Sequence, residues 1–224
     1  MMIELSSTPI ILMVILGVTG MIIPVINVVR KERGSATFYG AIAFGALLLS
    51  IGFVIYQFAA DNVAPAAIFS EDVLVDDGFG SFFAIAMLIV SIMTVAGSFN
   101  YMRKRSNPAM YFSLILLSSI GMVLIAFATD LVMLFVAWEL MSIPTYILAG
   151  FNKKDPKSNE AALKYFLFGA LSSGIIIYGI SLAYGITGST NIGDVIYAFA
   201  NLSPDMLPLG LLAIGMFIAG FGFK

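Results

Sequence analysis

Two charged side chains stand inside otherwise apolar stretches, and both are of types that carry protons. Glu139 lies in the apolar run 131–151 and Lys164 in the run 161–184. Counted from a helix start after Asp130, Glu139 is about 12 Å in. Counted from a start at Pro156, Lys164 is about 12 Å in from the opposite side. Opposite charges on successive antiparallel helices thus sit at comparable depth. Ionisable residues inside a membrane are costly, face protein or water, and mark ion pathways or proton relays. Burial disfavours the charged form of such groups and an opposite charge restores it, so protonation can follow separation or hydration. The structural alternative is a static ion pair that fixes helix packing. Lys164 has a further alternative, with its long stem snorkelling to the interface.

The neighbours of these charges are also informative. Pro144 deprives the Leu140 carbonyl of its helical donor. This gives either a kink or water site beside Glu139 or an ordinary proline kink, which membrane helices tolerate. Ser142 and Thr145 are candidates to satisfy the freed groups. The next run carries Gly169, Ala170, Ser172, Ser173, Gly174, Gly179 and Gly185. Small residues let helices approach closely in lipid; flexible gating is the second reading.

The elements that position these groups follow from composition. The chain is 60% hydrophobic and 11% charged, against about a quarter charged in a soluble domain. That excludes an ordinary soluble enzyme. A net charge of −2 without a basic surplus argues against nucleic acid as a partner. There is no His and no Cys, so the usual zinc, haem, iron–sulfur and disulfide chemistries lack ligands. The 13 Met residues lie in apolar runs and read as gap fillers.

A membrane span needs about 20 mostly apolar residues. Runs of this kind cover 10–29, 39–58, 79–101, a long block 108–151, then 161–184 and a last run from Met206. One helix over the long block would reach about 66 Å, twice a bilayer core. Thr129–Asp130 supplies a turn and a helix cap, so the block divides into 108–128 and 131–151. Charge parity agrees: Arg103, Lys104 and Arg105 precede the block, and Lys153, Lys154 and Lys157 follow it. Two crossings put both clusters on one side, as the positive-inside rule favours.

The same rule makes the basic loops cytoplasmic and places the N-terminus, the acidic stretch 59–78 and the linker 186–205 outside. Within that linker, 195–199 suits a short interfacial helix. The first run reads as a span and not a cleavable signal peptide. Asp76, Asp77 and Gly78 read as a turn and cap. Calcium binding by these acids has no supporting ligand spacing. The last run is still apolar at Lys224, so the sequence is expected to be the N-terminal part of a longer protein, or a fragment.

The stretch WELMSIPTYILAG at 138–150 leads through Lys153–Pro156 to NEAALKYFLFGALSSGIIIYG at 159–179. Together they resemble the antiporter-like membrane subunits of respiratory complex I. The N-type subunits of bacterial NADH–quinone oxidoreductases and of archaeal deazaflavin dehydrogenases are similar. VDDGFGSFF at 75–83 and GFGFK at 220–224 fit the same pattern. The resemblance implies an all-α, polytopic transmembrane bundle of about seven helices, the N-terminal part of an antiporter-like fold with a broken seventh helix. Residues 1–107 would hold three N-terminal spans. Residues 108–224 would form an incomplete first inverted-repeat half that carries the intramembrane charges.

The resemblance further implies proton translocation driven by electron transfer in other subunits. Glu139 matches the family's fifth-helix glutamate, Lys224 the seventh-helix lysine that pairs with it, and Lys164 the sixth-helix lysine of the polar path. No cofactor is expected on this chain. The quinone-type acceptor, flavin and iron–sulfur centres belong to other subunits, and the partners are those membrane subunits, the bilayer of the cell membrane and protons. A subunit of a multisubunit sodium/proton antiporter is the alternative, and a purely structural or assembly role the third reading. Nine of the 11 basic residues fall in the three loops on the cytoplasmic side. Glu139, Lys164 and Lys224 are left within the spans.

Overall fold

The computed structural model describes residues 8–30, 35–59, 66–67, 73–103 and 105–224. Its elements are α1 (Thr8–Val29), α2 (Ala36–Ala59), β1 (Ala66–Ala67), β2 (Val75–Asp76), α3 (Gly78–Met102), α4 (Pro108–Phe127), α5 (Leu131–Ala149), α6 (Pro156–Thr187), α7 (Ile192–Ala200) and α8 (Leu207–Phe223). The first six helices are long and apolar enough to cross a membrane. The last, α8, is a shorter apolar helix of 17 residues, about 25 Å long. The interfacial segment expected at 195–199 is the core of α7. The acidic stretch 59–78 contains a two-stranded antiparallel pair, with Ala66 opposite Asp76. Glu4, Lys31, Glu32, Arg33, Asp61, Glu71, Asp72 and Lys104 lie outside the described residues.

Short polar side chains start the helices where the sequence placed caps. Asp130 accepts from the backbone N–H groups of Val132 and Met133 and begins α5, which divides the long apolar block as expected. Asp77 accepts from Gly80 N–H at the start of α3. Asp155 accepts from Lys157 N–H at the start of α6, with Pro156 in its first turn. The sequence run 161–184 marks only the apolar centre of α6, which spans 32 residues. It stops at Gly188, whose φ of 70° is a left-handed conformation that glycine adopts without a Cβ penalty.

The interior helix is α4. Its most apolar window is 67% buried, against 28–39% for the other five spans. It packs against α1, α2, α3 and α5, and one apolar core runs from Leu12 to Ala137. The other spans keep large apolar faces outward, which suits lipid. Lipid gives little hydrophobic drive for helix association, so close approach and hydrogen bonds carry more of the specificity. A Cβ on Gly121 of α4 would lie 2.3 Å from the backbone nitrogen of Met141 in α5. Ser118 donates to the Met141 carbonyl at 2.9 Å, and Ser119 donates to Ser91 of α3 at 2.8 Å.

The two ends of the bundle differ. At one end, backbone hydrogen bonds join the α4–α5 turn to its neighbours: Thr129 N–H donates to Val73, Leu131 N–H to Thr190, and Ile192 N–H to Thr129. The Thr190 hydroxyl also donates to the Asp130 carboxylate, and Thr8 N–H donates to Asp76. At the other end, Arg105 and Lys153–Lys154 line one cavity. Both basic clusters therefore share a side, as the charge-parity argument requires. Replacing Asp130 with Ala removes the α5 cap and the Thr190 contact together. The expected loss is about 1–2 kcal/mol, read as a lower midpoint of thermal unfolding in detergent; Thr190→Val removes only the second contact and should shift it less.

Candidate functional site

Three helices meet at Glu139. Its Oε1 accepts from Lys224 Nζ at the end of α8 and lies 2.7 Å from Ser173 Oγ of α6. Lys224 Nζ also donates to Ser173 Oγ at 2.7 Å. The Ser173 hydroxyl has one proton to give. It stands between the Glu139 carboxylate and the Gly169 carbonyl, 2.8 Å away. The Lys224 side chain is only 4% exposed and that of Glu139 25%. The rings of Trp138 and Phe221, each a sequence neighbour or near neighbour of the pair, pack at a tilt with centroids 5.0 Å apart.

Small residues bring the helices close enough for this contact. A Cβ on Gly220 of α8 would lie 2.4 Å from Ile176 Cγ1 of α6. The Ser172 hydroxyl donates to the Gly220 carbonyl, tying the same two helices. On the α5 side, a Cβ on Gly169 would lie 2.1 Å from the Tyr146 hydroxyl. The packing role expected for the small residues therefore holds at Gly169, Ser172 and Gly179. Nothing approaches a Cβ at Gly174 or Gly185 within 4 Å.

The geometry bears on two of the site readings. Lys164 does not face Glu139: it pairs with Glu160, one turn earlier on α6, at 2.5 Å, and its side chain is 65% exposed. The cause is helical phase. Lys164 precedes Ser173 by nine residues, which is about two and a half turns, so the two project from opposite sides of α6. Comparable depth does not imply a common face. Nor do Ser142 and Thr145 satisfy Leu140. Helical hydroxyls reach back three or four residues; Ser142 donates to Trp138 and Thr145 to the Ser142 carbonyl. The helix α5 runs on through Pro144. Sequence reasoning classed Ser173 only as a small packing residue. Its spacing of four from Gly169, on the buried side of α6, was the available signal.

The matched family is described as NADH:quinone oxidoreductase/Mrp antiporter, TM, over residues 128–224. NADH-quinone oxidoreductase subunit N of Desulfitobacterium hafniense is 37% identical over 225 residues, covering 99% of this chain and 42% of the relative. F(420)H(2) dehydrogenase subunit N of Methanosarcina mazei is 37% identical over 160 residues, 70% of this chain and 31% of that protein. Among solved structures, respiratory complex I from Thermus thermophilus with bound aureothin gives a TM-score of 0.72 at 28% identity, covering 94% of this chain and 43% of the matched one. The membrane-bound sulfane sulfur reductase, an archaeal respiratory membrane complex, shares the fold with a TM-score of 0.79 at 21% identity, over 96% and 44% of the two chains.

The fold and the intramembrane ion pair thus define a polytopic, antiporter-like membrane subunit. Within that class, the chain belongs to the family that contains the N subunits of NADH–quinone oxidoreductase and F(420)H(2) dehydrogenase. It spans 42% of the length of NADH-quinone oxidoreductase subunit N relatives.

The chain has no Cys, so the pair can be probed against a clean background. With Glu139→Cys and Lys224→Cys together, a short bifunctional thiol reagent should cross-link α5 to α8. Adding Gly220→Val should lower that yield several-fold, because the new side chain meets Ile176. An unchanged yield would mean that Gly220 does not set the distance between α6 and α8.

Proposed function

We propose that this chain is part of a proton-translocating membrane subunit of a respiratory dehydrogenase complex. The contact among Glu139, Ser173 and Lys224 is the observation that carries this reading. In this assignment residues 108–224 belong to the first inverted-repeat half, and residues 1–107 supply the three preceding spans. The redox centres and the quinone-type acceptor belong to other subunits. The protein sits in the cell membrane with its basic loops cytoplasmic, an orientation supported by the shared end of the basic clusters.

The chemistry follows from the surroundings of the ammonium. Lys224 is stable as a cation in an apolar bundle while a carboxylate lies against it. Separation leaves a desolvated ammonium, and transfer of its proton to water or a nearby base relieves that cost. Return of a proton and of Glu139 resets the pair. The Ser173 hydroxyl accepts from the ammonium and gives its own proton to the carboxylate or to the Gly169 carbonyl. It can keep Glu139 hydrogen-bonded when the lysine moves away. Lys164, on the opposite side of α6, would act later in the path and not in the pair itself. Its contact with Glu160 is the starting point for that role.

A subunit of a multisubunit sodium/proton antiporter is the second reading, favoured by the description of the matched family, which names both. Membrane vesicles with the full-length subunit in its complex separate the two. The dehydrogenase reading predicts proton uptake that needs an electron donor and acceptor and no sodium gradient. Sodium-driven proton movement without an electron donor favours the antiporter.

In those vesicles, Glu139→Gln should leave assembly intact and lower coupled proton uptake by roughly tenfold or more. Normal uptake would remove Glu139 from the pathway. Ser173→Ala should give a smaller loss, since the ion pair survives it, and Ser173→Thr should restore much of the activity by returning the hydroxyl.

A further inference from the structure

At the end of the bundle that carries the basic residues, a cavity of about 1220 Å³ opens between the C-terminal ends of α1, α3 and α5 and the N-terminal end of α4. Arg105, Lys153 and Lys154 line it together with Asn27, Asn100 and Asn152, and among the described residues no carboxylate lines it. We propose that this cavity binds the phosphate-bearing headgroup of an anionic phospholipid.

Among the described residues, the cations are gathered without counter-charge in the lining. Among the described residues the ion pairs are those of Lys164 and Lys224, so none of these three is neutralised by a carboxylate. Asp155 is close in sequence but does not line the cavity and makes no ion pair with these cations; it caps α6. Arg105 is held in place by the Tyr101 ring, with its guanidinium carbon 4.1 Å from the centroid. That contact pre-organises a planar donor suited to phosphate. Asn27 accepts from the Tyr39 hydroxyl through Oδ1, which leaves its NH₂ group to donate.

The first turn of α4 adds to the positive field. Asn107, in a left-handed conformation with φ of 61°, gives no side-chain cap. The Ala109 and Met110 segment of that turn lines the cavity.

An apolar flank distinguishes a lipid from a free phosphate. Val28, Met110 and Ile147 line the same cavity and are 77%, 49% and 50% exposed. They lie on membrane-spanning helices, where acyl chains meet them. A basic pocket between spans at the cytoplasmic side is suited to an anionic headgroup. The volume exceeds the roughly 300–1,000 Å³ of common small-molecule sites, leaving room for a glycerol-linked phosphate together with the start of its chains.

The test uses the assembled complex with the full-length subunit. It is irradiated with a photoactivatable phosphatidylglycerol, and labelled peptides are mapped. Labelling within 105–114 and 145–154 that excess phosphatidylglycerol removes, and phosphatidylcholine or inorganic phosphate does not, is the expected result. Equal competition by phosphatidylcholine would reduce the site to unselective boundary lipid, and displacement by inorganic phosphate would make it a free-anion site; either overturns the proposal. So does labelling confined to other segments. Replacing Arg105, Lys153 and Lys154 by Gln should lower labelling by roughly fivefold per charge removed, with Lys157→Gln, outside the cavity, as the control. Undiminished labelling in the triple variant overturns the assignment. If that variant does not assemble, the wild-type competition decides alone.

Discussion

A carboxylate and an ammonium taken into an apolar bundle must stay within reach of each other. Either one alone would be an uncompensated charge, and removing one partner of a buried pair costs about 3–5 kcal/mol. This requirement organises the second half of the chain. Glu139 comes from α5 and Lys224 from α8, and α6 supplies Ser173 between them. Three helices that could pack in many ways in lipid are thereby held to one relative height and phase. Gly169 and Gly220 are the positions where they come close enough for this to happen.

The first half supplies the fixed side of that arrangement. Through α4, held among α1, α2, α3 and α5, the core anchors α5 by the backbone contact at Gly121 and by the Ser118 hydroxyl. The backbone bonds around Thr129, Leu131 and Thr190 then set where α5 begins. Glu139 is thus attached to the most buried part of the bundle. Ser173 and Lys224 sit on helices whose outer faces are largely open, with Leu163, Phe166 and Phe168 exposed on α6.

The site was only partly legible before the fold. Glu139 stood out because a carboxylate inside a span is costly, whatever surrounds it. Lys224 entered by family resemblance; nothing in the sequence pattern alone joins residues 139 and 224. Lys164 looked equivalent because depth along a helix can be counted from its cap. Its direction relative to a neighbouring helix cannot be counted in that way, and the phase of α6 turns it toward Glu160. Ser173 was hidden among small residues, since a serine that packs and a serine that bridges charges have the same identity in a sequence.

The sequence by itself determined the membrane spans, their number across the long block, and the side on which the basic clusters gather. Those properties depend on local hydrophobicity, caps such as Asp130 and Asp155, and charge parity, all of which act over one helix or one turn. Only the tertiary structure decided that Lys164 turns away from Glu139, which hydroxyl joins Glu139 to Lys224, and that two distant basic segments line one cavity. These depend on the rotation and spacing of helices far apart in the chain, fixed by contacts such as Gly220 on Ile176. In lipid, where apolar faces are nearly interchangeable, such steric and polar contacts carry the choice among packings.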